Sequence, residues 1–65
     1  MMKINNRYSI FVLGQTDPIV LTVANINNNE VIGFDKDNLI VTIMKYKITM
    51  YYHLMVLRKG ENETN

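Results

Sequence analysis

Short runs rich in Ile, Val, Tyr, Phe and Thr recur along this chain between clusters of turn-forming residues. The clusters fall at Gly14-Gln15-Thr16-Asp17-Pro18, Asn27-Asn28-Asn29 and Asp35-Lys36-Asp37-Asn38. The runs between them carry the residue types that fit a pleated, half-buried surface. They predict strands at about 7–13, 19–25, 30–34, 39–44 and 47–57. The alternation supports this, since period-2 patterning separates the two faces of a strand. In the fourth run Leu39, Val41 and Ile43 share a face opposite Ile40, Thr42 and Met44. In the fifth, Ile48, Met50, Tyr52, Leu54 and Val56 oppose Thr49, Tyr51, His53, Met55 and Leu57. Helix is the competing reading for this last run. Its content of Ile, Thr, Tyr and Val, and its lack of a 3.6-residue polar stripe, favour strand.

Five short strands at turn spacing predict an all-β fold, a small five-stranded curled antiparallel sheet or barrel of the Sm or Src-homology-3 kind. Closing such a sheet also removes its exposed edges. The fourth and fifth runs are apolar on both faces, whereas an isolated barrel needs only its inner face apolar. Leaving Ile40, Met44, Tyr51, Met55 and Leu57 in water would make a patch of the kind that marks an interface. Ile40, Met44, Met55 and Leu57 are therefore the expected self-association surface, unless the segment Met1–Asn6 lies over them.

Length reinforces that expectation. Sixty-five residues make one domain, and a chain this short buries only about 60% of the surface it exposes when unfolded. Small domains compensate with disulfides, a metal or a partner subunit. The chain has no cysteine and one histidine, His53, so disulfides, thiolate metal sites and multi-histidine sites are excluded, and no cofactor is expected. Association remains. The polar tail from Arg58 to Asn65 is expected to be disordered.

Charge and motifs narrow the function. Seven basic residues against six acidic give a net charge of +1, too near neutral for nucleic-acid binding by bulk electrostatics. Any basic surface must come from local clustering. No apolar run approaches the roughly 18 residues of a spanning helix, and no leader-like segment opens the chain, so the expected location is cytoplasmic. Nine asparagines and eight isoleucines, with lysine preferred over arginine, point to AT-rich coding in a low-GC bacterium or its phages or plasmids.

No catalytic signature is visible, so the chain is not expected to be an enzyme. Ser9 falls inside a predicted strand, and a Ser9–His53 pair would carry no recognisable motif. Asp35-Lys36-Asp37-Asn38 begins like a calcium loop but lacks the glycine and closing glutamate of the EF-hand. It reads instead as a hairpin turn whose Asp and Asn side chains bond their own backbone. Asn27-Asn28-Asn29 reads as a turn because asparagine tolerates positive φ.

Lys45-Tyr46-Lys47 sets an aromatic ring between two cations at or beside a hairpin turn, and Arg58 and Lys59 end the fifth run. A base can stack on tyrosine while lysines neutralise the flanking phosphates, as single-stranded RNA is commonly held. A solvated turn with an edge-protecting lysine pair is the competing reading.

From Glu30 to about Arg58 the pattern resembles the second half of an Sm-fold protein, most closely bacterial Hfq. The matching features are Phe34-Asp35 at the end of one strand, the aliphatic run Leu39-Ile40-Val41-Thr42-Ile43, and Tyr51-Tyr52-His53 in the last strand. The resemblance implies rings in which the fourth strand pairs with the fifth strand of a neighbour. It also implies that Tyr51 and His53 line a pore binding uridine-rich RNA. Tyr52 stands where the family carries lysine, and the family's N-terminal helix has no counterpart in Met1–Asn6. The combined expectation is a non-enzymatic, oligomeric RNA-binding protein acting through Lys45, Tyr46, Lys47, Tyr51, Tyr52, His53, Arg58 and Lys59. The alternative is a phage- or plasmid-type protein-interaction module that binds or inhibits a host protein. Its support is the near-zero net charge and a methionine-rich strand face able to adapt to irregular partners.

Overall fold

The structure is a computed structural model that describes residues 1–55. Five strands form one antiparallel sheet: β1 (Arg7–Val12), β2 (Ile19–Ile26), β3 (Glu30–Phe34), β4 (Ile40–Met44) and β5 (Ile48–Leu54). Their spatial order is β4-β3-β2-β1-β5, so β4 and β5, consecutive in the chain, occupy opposite edges of the sheet. The all-β fold and the curled five-stranded sheet expected from the alternation are both present. Leu57, Arg58, Lys59 and the expected disordered tail lie outside the described residues. No helix among the described residues is long and apolar enough to cross a membrane.

The core is the inner face of this one sheet. Tyr8, Ile10 and Val12 alternate inward from β1, joined by Leu21 and Val23 from β2, Val31 from β3 and Ile43 from β4. Half-buried Met2, Ile19, Ile26, Val41, Ile48 and Tyr51 pack around them. A single sheet can enclose its own face only by bending sharply. β2 bends at a bulge, where the register steps from Val23↔Gly33 to Asn25↔Ile32 and leaves Ala24 unpaired. At that bend β3 passes close to β2. A Cβ on buried Gly33 would overlap the backbone carbonyl of Thr22 and lie 2.8 Å from Cγ of Leu21.

Side chains close two of the turns. Asp35 Oδ1 accepts the backbone N–H groups of Asp37 (2.8 Å) and Leu39 (2.9 Å), while Asn38 takes a left-handed φ of 63°. Asn27 Oδ1 likewise accepts from the N–H groups of Asn29 (2.9 Å) and Glu30 (2.8 Å). The Asn27–Asn29 turn therefore depends on capping and not on positive φ, which corrects the expectation; the left-handed asparagines are Asn5 and Asn38.

The faces of β4 are as the alternation predicts, but those of β5 are corrected. A bulge at Thr49 shifts the β1–β5 register from Phe11↔Met50 to Val12↔Ile48. Thr49 Oγ1 donates to the Phe11 carbonyl at 3.2 Å. Ile48 therefore shares the inner face with Tyr51 and His53, and Met50 and Tyr52 turn outward with Phe11. Tyr51 does not belong to the outward apolar patch in which the alternation put it.

Two predictions follow from the backbone. Gly33→Ala should lower unfolding free energy in urea by at least about 1–3 kcal/mol, since the obstructing Thr22 carbonyl is fixed in the ladder. Asn27→Ala should cost about 1 kcal/mol, whereas Asn28→Ala in the same exposed turn should stay within about 0.5 kcal/mol of wild type.

Candidate functional site

The residues singled out from sequence occupy three separate places. The first is the link between β4 and β5. Lys45–Lys47 form one turn of 3-10 helix, closed by the Ile48 N–H donating to the Lys45 carbonyl. Its ends are tied to other strands: the Lys45 N–H donates to the Asn29 carbonyl and the Leu13 N–H donates to the Lys47 carbonyl, each at 2.8 Å. This anchored turn carries the chain from one edge of the sheet to the other, where a hairpin would have made β4 and β5 neighbours. It also projects Tyr46 into solvent, 73% exposed, with Nζ of Lys47 5.8 Å from the ring centroid. That spacing is within cation–π range.

The second place is the inner face near the start of β1. Tyr51 meets Tyr8 edge-on with ring centroids 5.6 Å apart, and His53 tilts against the same ring at 5.3 Å. Tyr8 is 3% exposed, and its hydroxyl accepts the backbone N–H of Lys3 at 2.6 Å. Tyr51 is half-buried and His53 exposed. The N-terminal segment is secured alongside: the Asn5 N–H donates to the Val23 carbonyl at 2.7 Å, and the Val23 N–H donates to the Asn6 carbonyl at 2.9 Å. Met2 packs against the core, so this segment lies over the inner end of the sheet rather than over the outer faces of β4 and β5.

The third place is the outer face. Tyr52 is 56% exposed and meets Phe11 edge-on at 6.0 Å, and its hydroxyl donates to Sδ of Met50 at 3.4 Å. Ser9 lies opposite Tyr52 in the register, and Arg7 follows on the same face, its Nε donating to Thr22 Oγ1 at 3.3 Å. Ser9 and His53 are thus on opposite faces of the sheet and form no dyad. Tyr51, Tyr52 and His53 do not make one surface either: the middle residue points away from its neighbours. Alternation puts Met50 and Tyr52 on one face, but Phe11 joins them only through the β1–β5 register, which leaves no local mark in the sequence.

Of the expected interface residues, Ile40 is 72% exposed on the outer face of β4, Met44 is half-buried on that face, and Met55 is exposed just past β5. β4 pairs only with β3, and β5 only with β1, so each has one edge unpaired among the described residues. Beside the N-terminal segment the inner face opens as an apolar cleft of about 500 Å³. Met1 and Met2 form one wall and Ile26 and Val31 another, with Ile48 and Tyr51 from β5 and Lys45 from the 3-10 turn. Among the described residues no group of three His, Cys, Asp or Glu side chains gathers as a metal ion would require.

Compared with protein-family models, with curated proteins and with solved structures, the chain matches none.

The first two places predict different responses to mutation. Tyr51→Ala should cost on the order of 2 kcal/mol by removing a ring packed on the core, while Tyr46→Ala should change stability by less than about 0.5 kcal/mol. Tyr8→Phe should cost about 0.5–1.5 kcal/mol and increase hydrogen exchange at the Lys3 amide, because its acceptor is gone.

Proposed function

We propose that this chain is a non-enzymatic RNA-binding protein of Sm-like type that acts as an oligomer. The observation that carries this reading is Tyr46, an exposed ring held between two lysines on a turn anchored at both ends. Such a ring offers a base a stacking surface, and the Lys47 ammonium 5.8 Å from its centroid can meet a phosphate of the stacked nucleotide. Tyr52, exposed on the outer face, offers a second stacking surface with Arg7 on the same face. Tyr51 and His53 share the inner face, and in this reading they meet RNA only at the open end of the sheet.

Self-association has its own support. The unpaired edges of β4 and β5 can pair between copies, and a head-to-tail contact of that kind closes into a ring when the rotation allows. Ile40 and Met44 flank the β4 edge on the outer face. The cysteine-free composition suits a reducing cytoplasm, and the codon-biased composition suits a low-GC bacterium or its phage.

The test is binding of a uridine-rich oligonucleotide across a salt series. Lys45→Ala and Lys47→Ala should each lower the salt slope by about 0.7. Tyr46→Ala should cost about 1–3 kcal/mol with the slope nearly unchanged. Absence of binding tighter than about 10 μM at low salt would overturn the reading. Sedimentation at micromolar concentration should give at least a dimer, weakened by Ile40→Lys or Met44→Lys; a monomer unaffected by both would refute the edge-to-edge assembly.

A second reading, a protein-interaction module, is favoured by one observation, exposed Met50 and Tyr52 packed with half-buried Phe11 on a domain of nearly zero net charge. Methionine and tyrosine adapt to varied partner surfaces. A chain that ignores RNA but loses partner binding on Tyr52→Ala would fit that alternative.

A further inference from the structure

We propose that the cleft bounded by the N-terminal segment, β2, β3, the 3-10 turn and β5 binds a small amphipathic anion, a medium-chain monocarboxylate with an unfunctionalised acyl body. This goes beyond the RNA reading and does not depend on it.

The cleft's volume of about 500 Å³ falls in the range of small-ligand sites. Its lining is Met, Ile, Val and Tyr, and the single charged side chain among the lining residues is Lys45. No carboxylate, amide or histidine side chain lines it, so it offers little to read the alternating donors and acceptors of a peptide or the edges of a base. Chemistry that complements such a surface has one negative group and an otherwise apolar body. Lys45 stands on the 3-10 turn, held by its backbone bond to Asn29. Its ammonium can meet a carboxylate while the acyl chain lies over Ile48, Tyr51, Val31 and Ile26. The methionine wall gives the site latitude, because an unbranched thioether side chain repacks around chains of different length.

The experiment is calorimetric titration of the full chain with octanoate, decanoate and decanol, each below its aggregation concentration, with methyl and ring shifts followed by NMR. Two extra methylenes should make decanoate bind about tenfold more tightly than octanoate. Lys45→Met, at an exposed position, should weaken decanoate by about threefold to fivefold and leave decanol unchanged. The largest shifts should fall on Ile26, Val31, Ile48 and Tyr51. Ile26→Glu should abolish decanoate binding, with circular dichroism reporting whether it folds; if it does not, the Lys45→Met comparison and the shift map decide. Equal affinity of the wild type for decanoate and decanol would overturn the proposal. So would no decanoate binding at about 1 mM, or shifts centred on Phe11, Met50 and Tyr52. Tyr46→Ala distinguishes this site from the RNA site, because it should reduce oligonucleotide binding and leave decanoate binding intact.

Discussion

A single sheet of five short strands, with no α-helix or second sheet among the described residues to lie against, can bury its inner face only by folding that face onto itself. Everything else in this molecule depends on how closely β3 can approach β2 at the bend. There the Thr22 carbonyl and the Leu21 side chain occupy the space that any Cβ at position 33 would need. Gly33 makes the approach possible, and the bulge around Ala24 turns the end of β2 so that Ile26 and Val31 return to the inner face. With that fold-over in place, Ile10, Leu21, Val23 and Val31 are sealed from water. Without it the same residues would line an open and unstable ribbon.

Much of this was legible in the sequence, and the parts that were not have identifiable physical reasons. β1 to β4 are bounded by turn residues, so their existence follows from local pattern, and period 2 separates the faces of each except past the Ala24 bulge of β2, where Ile26 returns inward. β5 does not behave that way. Because Ile48, Met50 and Tyr52 are as apolar as Tyr51 and Met55, alternation could not decide which set points inward. The pairing with β1 decides it, setting Tyr51 and His53 opposite the inward Ile10 and Tyr8, while the bulge at Thr49, whose hydroxyl binds the Phe11 carbonyl, brings Ile48 onto the same inner face. A bulge of this kind is set by tertiary pairing and is invisible to local pattern. Asn27 makes the related point about turns: the residue type was informative, but the mechanism was a carboxamide oxygen accepting two amides.

The candidate site was legible only in fragments. Lys45-Tyr46-Lys47 could be singled out because a ring between two cations is a local feature, and it is exposed as such a feature requires. Within Tyr51-Tyr52-His53, alternation sets Tyr52 opposite its two neighbours, and the strand keeps them on two faces. Its outward member gains Phe11 and Met50 as neighbours, and its inward members gain Tyr8. The apolar cleft could not be found from sequence at all, since its walls come from the N-terminal segment, β2, β3, the 3-10 turn and β5.

One geometric choice links the edges, the exposed tyrosine and the cleft. A hairpin between β4 and β5 would have paired those strands and closed the barrel, leaving neither free edges nor an open mouth. The 3-10 turn instead delivers the chain to the far side of β1, and its hydrogen bonds to Asn29 and Leu13 hold it across the gap. Such a turn exposes its middle residue, here Tyr46, and leaves the inner face uncovered beside Lys45. Hence the three residues Lys45–Lys47 set where the free edges, the exposed Tyr46 ring and the mouth of the cleft lie. The regular strands serve to hold those three in place.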